Sequence, residues 1–124
     1  DNAKGYYIRP TIFSDVPADA RIAQEEIFGP VLSCIRFHST EEAVQIANST
    51  EYGLAAGLYT ADVSRAHKVA EQLDAGMLFI NRYGCYGLAA PFGGFKQSGW
   101  GKEMAIHSLA SYTKTKGVWV YYGD

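Results

Sequence analysis

Cysteine is scarce in this chain, where Cys34 and Cys85 are the only two among 124 residues. Two cysteines cannot form the set of disulfides by which small secreted domains compensate for a small core. The first ten residues, DNAKGYYIRP, also lack the basic segment and the following apolar run of a secretion signal. We therefore expect a protein that works in a reducing compartment, and the cytoplasm is the expected location.

The chain also lacks a large excess of charge of either sign, and it lacks long apolar runs. Basic residues number 11 and acidic residues 13, which gives a net charge of −2 with both signs mixed along the chain. A nucleic-acid-binding surface needs clustered basic side chains, so no nucleic-acid partner is expected. No apolar run approaches the ~20 residues that cross a bilayer, so no membrane partner is expected. Apolar residues still make up 48% of the chain, enough for a core in one domain or in a piece of a larger one.

Strand-like and helix-like segments alternate along the chain as far as Asn81. Runs of β-branched and aromatic residues are typical of strands, and apolar residues repeated at intervals of three and four are typical of helices. Ser39 and Glu42 are spaced as a helix-capping box, and Asp62 is placed to begin a further helix. The pattern predicts an α/β fold with a mostly parallel sheet and flanking helices. The predicted strands cover residues 6–13, 31–37, 55–60 and 77–81, and the predicted helices cover 18–27, 39–47 and 62–73.

Glycine is concentrated after Asn81, where residues 82–101 hold six of the chain's 13 glycines. We expect no regular element there, and a loop of this length inside a compact domain is usually functional. A helix is predicted over residues 102–112. The β-prone tail over 115–122 either closes this chain's own sheet or pairs with a partner chain, because an exposed apolar edge strand promotes association.

Familiar patterns of catalytic and metal sites are missing. The glycine loop and its Gly101-Lys102 pair fit neither the Walker spacing nor the dinucleotide-binding spacing. The histidines lie far apart without ligand spacing, so no metal site is predicted. Cys34 alternates with apolar neighbours and is expected to be buried. Cys85 has Arg82 nearby in sequence, which is too little to predict a reactive thiol, so no catalytic residue is assigned.

The segment EEIFGPV, residues 25–31, places two carboxylates and an aromatic ring at a turn that Gly29 and Pro30 break. The residues alone leave two interpretations open. In one, the carboxylates end a short helix in water. In the other, the turn holds a ligand that carries hydroxyl groups and a flat ring.

Six runs, taken in order, resemble the C-terminal part of the NAD(P)-dependent aldehyde dehydrogenases. They extend over nearly the whole chain and read GYYIRPTIF, EEIFGPV, NSTEYGLAAGLYT, GMLFIN, PFGGFKQSGWGKE and SYTKTKGVWV. The most specific are EEIFGPV and PFGGFKQSG. The resemblance implies that residues 1–98 form the C-terminal part of a catalytic domain, and that residues 99–124 form a helix and an oligomerisation tail.

The same resemblance implies roles for single residues. Glu26 is implied to accept hydrogen bonds from the ribose hydroxyls beside the nicotinamide of NAD or NADP. Phe28 is implied to pack beside the nicotinamide ring, and Leu54 to line the same end of the cofactor. Tyr86 and Phe92 are implied to line the aldehyde tunnel, where aromatic walls exclude water and suit apolar or cationic substrates.

The family oxidises an aldehyde by thiolate attack, hydride transfer to NAD(P)+ and hydrolysis of the resulting thioester. Its nucleophilic cysteine, general-base glutamate, oxyanion-stabilising asparagine and dinucleotide fold all precede the part that this chain resembles. The resemblance therefore implies a segment without activity of its own. Its implied partners are a small-molecule aldehyde, the upstream part of the same chain and the neighbouring subunits of a homo-oligomer. The alternative is a non-catalytic module that binds a partner through its edge strand.

Overall fold

A computed structural model describes residues 4–123, so Asp124 and the first three residues of the predicted catalytic segment lie outside the described residues. Strands and helices alternate in the order that the sequence predicts. The strands are β1 (Thr11–Phe13), β2 (Val31–Ser33), β3 (Tyr52–Gly53), β4 (Ala55–Leu58), β5 (Met77–Ile80) and β6 (Phe95–Lys96). The helices are α1 (Arg21–Gln24), α2 (Thr40–Asn48), α3 (Val63–Gln72) and α4 (Leu109–Tyr112), the last preceded by a 3-10 turn at Ile106–Ser108.

The strands form three pairs and not the single sheet that the alternation predicts. β1 pairs with β2 in parallel, with Ile12 opposite Leu32, and β4 pairs with β5 in parallel, with Ala56 opposite Leu78. The third pair, β3 with β6, is antiparallel. Each parallel pair is joined through a helix, as a parallel connection requires. The predicted α/β class with mostly parallel pairing and flanking helices is confirmed, while the division at residue 98 stays a prediction.

The two long helices begin at the capping residues that the sequence identifies. The Ser39 hydroxyl accepts a hydrogen bond from the Glu42 backbone N–H at 3.1 Å. The Glu42 carboxylate accepts from the backbone N–H of His38 at 2.6 Å, one residue before the position of a standard capping box. The Asp62 carboxylate accepts from the Arg65 N–H at 3.0 Å and opens α3. Both predicted helix starts are therefore confirmed.

Two asparagines join the ends of neighbouring elements by paired hydrogen bonds, Asn81 between β5 and β4 and Asn48 between α2 and α3. The Asn81 side chain accepts from the Thr60 N–H at 2.8 Å and donates to the Thr60 carbonyl at 2.9 Å. The Asn48 side chain donates to the Gln72 carbonyl at 2.7 Å and accepts from the Asp74 N–H at 2.8 Å. Each amide thereby satisfies two backbone groups at the end of an element.

The buried core of residues 4–123 is small, and most of it belongs to α2, α3 and β5. It consists of Val16, Val44, Ala66, Met77 and Phe79. Many large apolar side chains elsewhere, among them Ile12 in β1 and Trp119 near the C-terminus, are exposed. Where such side chains form a contiguous patch, the patch marks a face that binds another chain or segment.

Several predicted elements are shorter in the structure. The strand predicted over 6–13 is confined to Thr11–Phe13, and the strand predicted over 31–37 ends at Ser33. The helix predicted over 18–27 has only four residues. The prediction that Cys34 is buried is wrong: its side chain is exposed, because the strand ends one residue earlier and no layer covers it in the described chain.

The prediction of one helix over 102–112 is wrong in its first part. Met104 and Ala105 have φ angles of 58° and 49°, which no right-handed helix accepts. Glu103 instead exchanges two backbone hydrogen bonds with Phe92, at 2.8 and 2.7 Å. The glycine loop is also not wholly irregular, since β6 lies within it.

The tail forms no strand within the part of the chain that the structure describes, so it does not close this chain's own sheet. Trp119 and Tyr121 are both exposed. Pairing with a partner chain, the other alternative, stays a prediction.

Candidate cofactor and substrate site

The end of α1 presents two acidic side chains in different states. Glu25 accepts from the Arg21 guanidinium at 2.8 Å in an exposed ion pair. Glu26, the next residue, has no hydrogen-bond or ion-pair partner among residues 4–123 and is exposed. A free carboxylate can accept from two neighbouring hydroxyl groups at once. Glu26 is therefore the acid at this turn that is available to a ligand.

Phe28 is held in an unusual backbone conformation at the same turn. Its φ is 54°, in the left-handed region that bulky residues rarely adopt. The ring is 91% exposed. Conformations of this kind cluster at ligand-binding sites, where the surroundings maintain them. The turn thus presents a bare aromatic face close in sequence to the free carboxylate.

Two adjoining clefts meet at Glu26. The larger, about 340 Å³, lies between the end of α1 and the β3–β4 segment, and both Glu26 and Leu54 line it. The smaller, about 270 Å³, is lined by Glu26 and Phe28. The structure therefore brings the three residues of the predicted cofactor site to one connected surface.

Acidic side chains lie near Tyr52 in the larger cleft. The neighbouring Glu51 carboxylate raises the pKa of Tyr52 above its ordinary value, and burial, Glu26 and Glu25 act in the same direction. The Tyr52 phenol lines this cleft. It stays protonated at neutral pH and is a hydrogen-bond donor there.

Tyr86 and Phe92 belong to a continuous row of aromatic rings. Their ring centroids lie 5.6 Å apart, and Tyr86 meets Phe79 edge-on at 5.5 Å. Phe79 in turn lies 5.0 Å from Tyr83. Tyr86 and Phe92 line a pocket of about 260 Å³, which Cys85 also lines. The structure thus places the two predicted tunnel residues in one wall.

Tyr83 connects this wall to the cofactor cleft and was missed by the sequence reasoning. It packs on Phe79 and also lines the cleft that holds Glu26 and Leu54. Ser98, which also lines this cleft, was missed as well. Its hydroxyl accepts a hydrogen bond from the Gly53 N–H at 3.0 Å, next to Leu54 in the chain. Neither residue carries a sequence signal beyond its place in the glycine loop.

Other classes of site find no support in the described residues. No group of three His, Cys, Asp or Glu side chains over positions 4–123 could hold a metal ion. No helix in this range is both long and apolar enough to cross a bilayer. Cys85 is exposed.

Known proteins resemble this chain along almost its whole length. Betaine aldehyde dehydrogenase of Brucella anthropi is 52% identical over 120 residues, which make up 97% of this chain and 25% of that protein. The structure of a mutant P. syringae indole-3-acetaldehyde dehydrogenase in complex with NAD+ and IAA is similar with a TM-score of 0.87 and 52% identity, over 94% of this chain and 23% of that one.

The NAD+ complex of the Bacillus cereus aldehyde dehydrogenase gives a TM-score of 0.88 and 50% identity, over 94% of this chain and 24% of that one. The chain thus spans about a quarter of the length of these relatives. The family model described as the aldehyde dehydrogenase family matches residues 1–118. With that match and the shared fold, this chain belongs to the aldehyde dehydrogenase family.

Proposed function

We propose that this chain is the C-terminal quarter of an enzyme that oxidises an aldehyde to a carboxylic acid with NAD+ or NADP+. The observation that carries the proposal is the free Glu26 carboxylate, which lies where the clefts lined by Phe28 and by Leu54 meet. The chain's own contribution is to hold the nicotinamide side of the cofactor, to form one wall of the aldehyde tunnel and to support assembly.

The residues of the cleft fit a nicotinamide ribose. The ribose offers two adjacent hydroxyl donors, and Glu26 has a carboxylate with no other partner among the described residues. Phe28 offers an exposed ring to a flat heterocycle, and Leu54 an apolar contact. The cofactor, when bound, supplies the acceptor for the hydride. These residues suit NAD and NADP equally, because the two differ only at the adenine ribose.

The aldehyde is proposed to pass along the wall formed by Tyr86 and Phe92. Rings in contact exclude water from a reacting carbonyl and favour an apolar or cationic substrate. The thiol that attacks the aldehyde is proposed to come from the part of the enzyme that precedes this segment, and Cys85 is part of the wall. We therefore expect the 124-residue chain alone to lack dehydrogenase activity.

Assembly is proposed to use the tail, in a homo-oligomer that works in the cytoplasm. Val118, Trp119 and Tyr121 are exposed and lie in no strand of the described chain. Deletion of Lys116–Asp124, whose last residue lies outside the described range, should lower the mass of the complete enzyme in light scattering. The same tail favours a second candidate, a non-catalytic module that binds a partner chain. Thermal unfolding separates the two, since only the module would be a stable fold without cofactor or upstream domain.

The test of the cofactor assignment is Glu26→Gln in the complete enzyme that carries this chain. The amide keeps the size of the side chain but loses the charge and one acceptor. We expect hydride transfer to slow and the KM for NAD(P)+ to rise. Glu71→Gln in α3 is the matched control, because Glu71 is exposed and lines neither cleft. Unaltered kinetics of the Glu26 variant at limiting NAD(P)+ would remove the assignment.

A further inference from the structure

The segment that carries Glu26 is too short to hold its own position. α1 has four residues, no side-chain cap and no buried residue. A single helical turn in water is unstable, because nucleation fixes several dihedrals for one hydrogen bond. The Arg21–Glu25 pair is exposed and lies within the segment itself, so it cannot fix the segment against the rest of the fold. Long-range contacts must therefore place Glu26.

Gln24 makes such a contact across the cleft. Its side-chain amide, half-buried at the last residue of α1, donates to the Ala18 carbonyl at 2.6 Å and to the Ser49 hydroxyl at 3.2 Å. The Ser49 hydroxyl donates in turn to the Ile46 carbonyl at 2.8 Å, at the end of α2. Both amide hydrogens of Gln24 are used, and the Ser49 hydroxyl both donates and accepts, so the three bonds are mutually compatible.

The two ends of this link lie beside the same cleft. Gln24 lies two residues before Glu26, and both line the cleft. Ser49 lies between Asn48 and Thr50, which line the wall that continues to Leu54. The link thus joins the wall that holds the free carboxylate to the wall that holds the apolar contact.

We propose that Gln24, through its hydrogen bond to Ser49, is a positioning residue that sets the distance between Glu26 and the Leu54 wall. The inference rests on the proposed function, since it assigns Gln24 to the same cofactor cleft. Gln24 itself is not proposed to touch the cofactor. Its amide acts by holding α1 against the end of α2.

The test uses the complete enzyme that carries this chain and NADH as the probe, with binding measured by fluorescence titration. Gln24→Ala should weaken NADH binding roughly 3- to 10-fold, the effect of about one lost hydrogen bond. Ser49→Ala should weaken NADH binding by a similar factor. The double variant should bind NADH no less tightly than the more affected of the two single variants, because all three variants remove the same link. Gln72→Ala is the matched control, since the Gln72 side-chain amide donates to the Lys68 carbonyl of its own helix and to no other group among residues 4–123.

A second measurement does not depend on cofactor binding. Amide hydrogen exchange of Ala23 and Glu25, whose N–H groups donate to the Ala20 and Arg21 carbonyls, should become faster in Gln24→Ala and stay unchanged in Gln72→Ala. Each of three results would overturn the inference: wild-type NADH affinity in Gln24→Ala, factors that multiply in the double variant, or unchanged exchange at Ala23 and Glu25. If the unsubstituted enzyme does not bind NADH, the proposed function fails, and the exchange measurement still decides the role of Gln24.

Discussion

The ammonium of Lys96 donates a hydrogen bond to the carbonyl oxygen of Asn48 over 3.0 Å. It also donates to the Thr50 carbonyl at 3.2 Å and lies 3.4 Å from the Asp74 carboxylate. Lys96 has a φ of 51°, an uncommon conformation for a residue other than glycine. One half-buried cation thus satisfies carbonyls at the end of α2 and fixes β6 beside them.

Lys96→Met should lower the stability of the complete enzyme that carries this chain, because methionine keeps the apolar stem but leaves two carbonyls and Asp74 without their donor. We expect the free energy of unfolding to fall by roughly 1–3 kcal/mol. The measurement is the urea midpoint, compared at equal protein concentration. Lys68→Met, on the exposed face of α3, serves as control and should change stability by less than about 0.5 kcal/mol. Equal midpoints for the two variants would show that the contacts of Lys96 contribute nothing.

Gly76→Ala should destabilise the fold for a steric reason. A Cβ at Gly76 would overlap the carbonyl oxygen of Gly93, so the β5 segment and the glycine loop approach too closely for any side chain. Because backbone cannot move aside cheaply, we expect a loss of roughly 1–3 kcal/mol. Gly87→Ala is the control, since a Cβ there meets no atom within 4 Å. Thermal unfolding of the two variants side by side checks the difference, and a Gly76 variant as stable as the Gly87 variant would contradict the close approach.

Local signals in the sequence predicted the parts of the fold that local contacts form. Ser39 and Asp62 cap α2 and α3 through hydrogen bonds to residues three positions later, so their spacing alone locates both helix starts. The turn at Gly29 likewise follows from the residues. The order of strands and helices follows from alternation, and the α/β class follows from that order.

Contacts between residues far apart in the sequence determine the features of the fold that the sequence did not predict. The 102–112 helix fails because Glu103 pairs with Phe92, 11 positions away, and the next two residues take left-handed angles. The strand pair β3–β6 joins residues more than 40 positions apart. For the site, the chemistry of Glu26 and Phe28 came from a family resemblance. Their connection through one surface, and the roles of Tyr83 and Gln24, needed the structure.

The cap of α3 gives a pH dependence with a definite sign. The Arg65 backbone N–H lowers the pKa of Asp62 below its ordinary value of about 4. A carboxylate with a lowered pKa in the folded state stabilises the helix above its ordinary pKa, and this stabilisation is lost as the pH falls through the lowered value. A peptide of residues 60–75, kept helical by an alcohol co-solvent because so short a helix is marginal in water, should therefore lose helicity as the pH falls from about 5 to about 2, measured by circular dichroism.

Asp62→Asn separates the cap from its charge. Asparagine also caps helices but does not titrate, so this variant should keep most of the helicity at neutral pH and lose the part of the acid transition that belongs to Asp62. Asp62→Ala should lower helicity at every pH. An unchanged acid transition in the asparagine variant would assign that transition to another acid of the peptide, such as Glu71.

Substitutions in the aromatic wall should change the kinetics for the aldehyde and leave the kinetics for NAD(P)+ unchanged. Tyr86 contacts Phe79 and Phe92 through its ring, and no hydrogen bond of its hydroxyl is seen within residues 4–123. Tyr86→Ala removes the ring and should lower kcat/KM for an apolar aldehyde such as hexanal about tenfold, by loss of apolar contact and exclusion of water. Tyr86→Phe keeps the ring and should stay within about twofold. The KM for NAD(P)+ should be unchanged in both, because Tyr86 does not line the cleft of Glu26.

Tyr59→Ala provides the control for loss of an aromatic side chain. Tyr59 is exposed and lines a different groove, between α2, α3 and β4, so its removal should leave hexanal kinetics unchanged. An equal loss in the Tyr59 and Tyr86 variants would point to general destabilisation. A rise in the KM for NAD(P)+ in Tyr86→Ala would instead mean that the row of rings transmits its packing through Tyr83 to the cofactor cleft, and that the wall and the cleft act as one site.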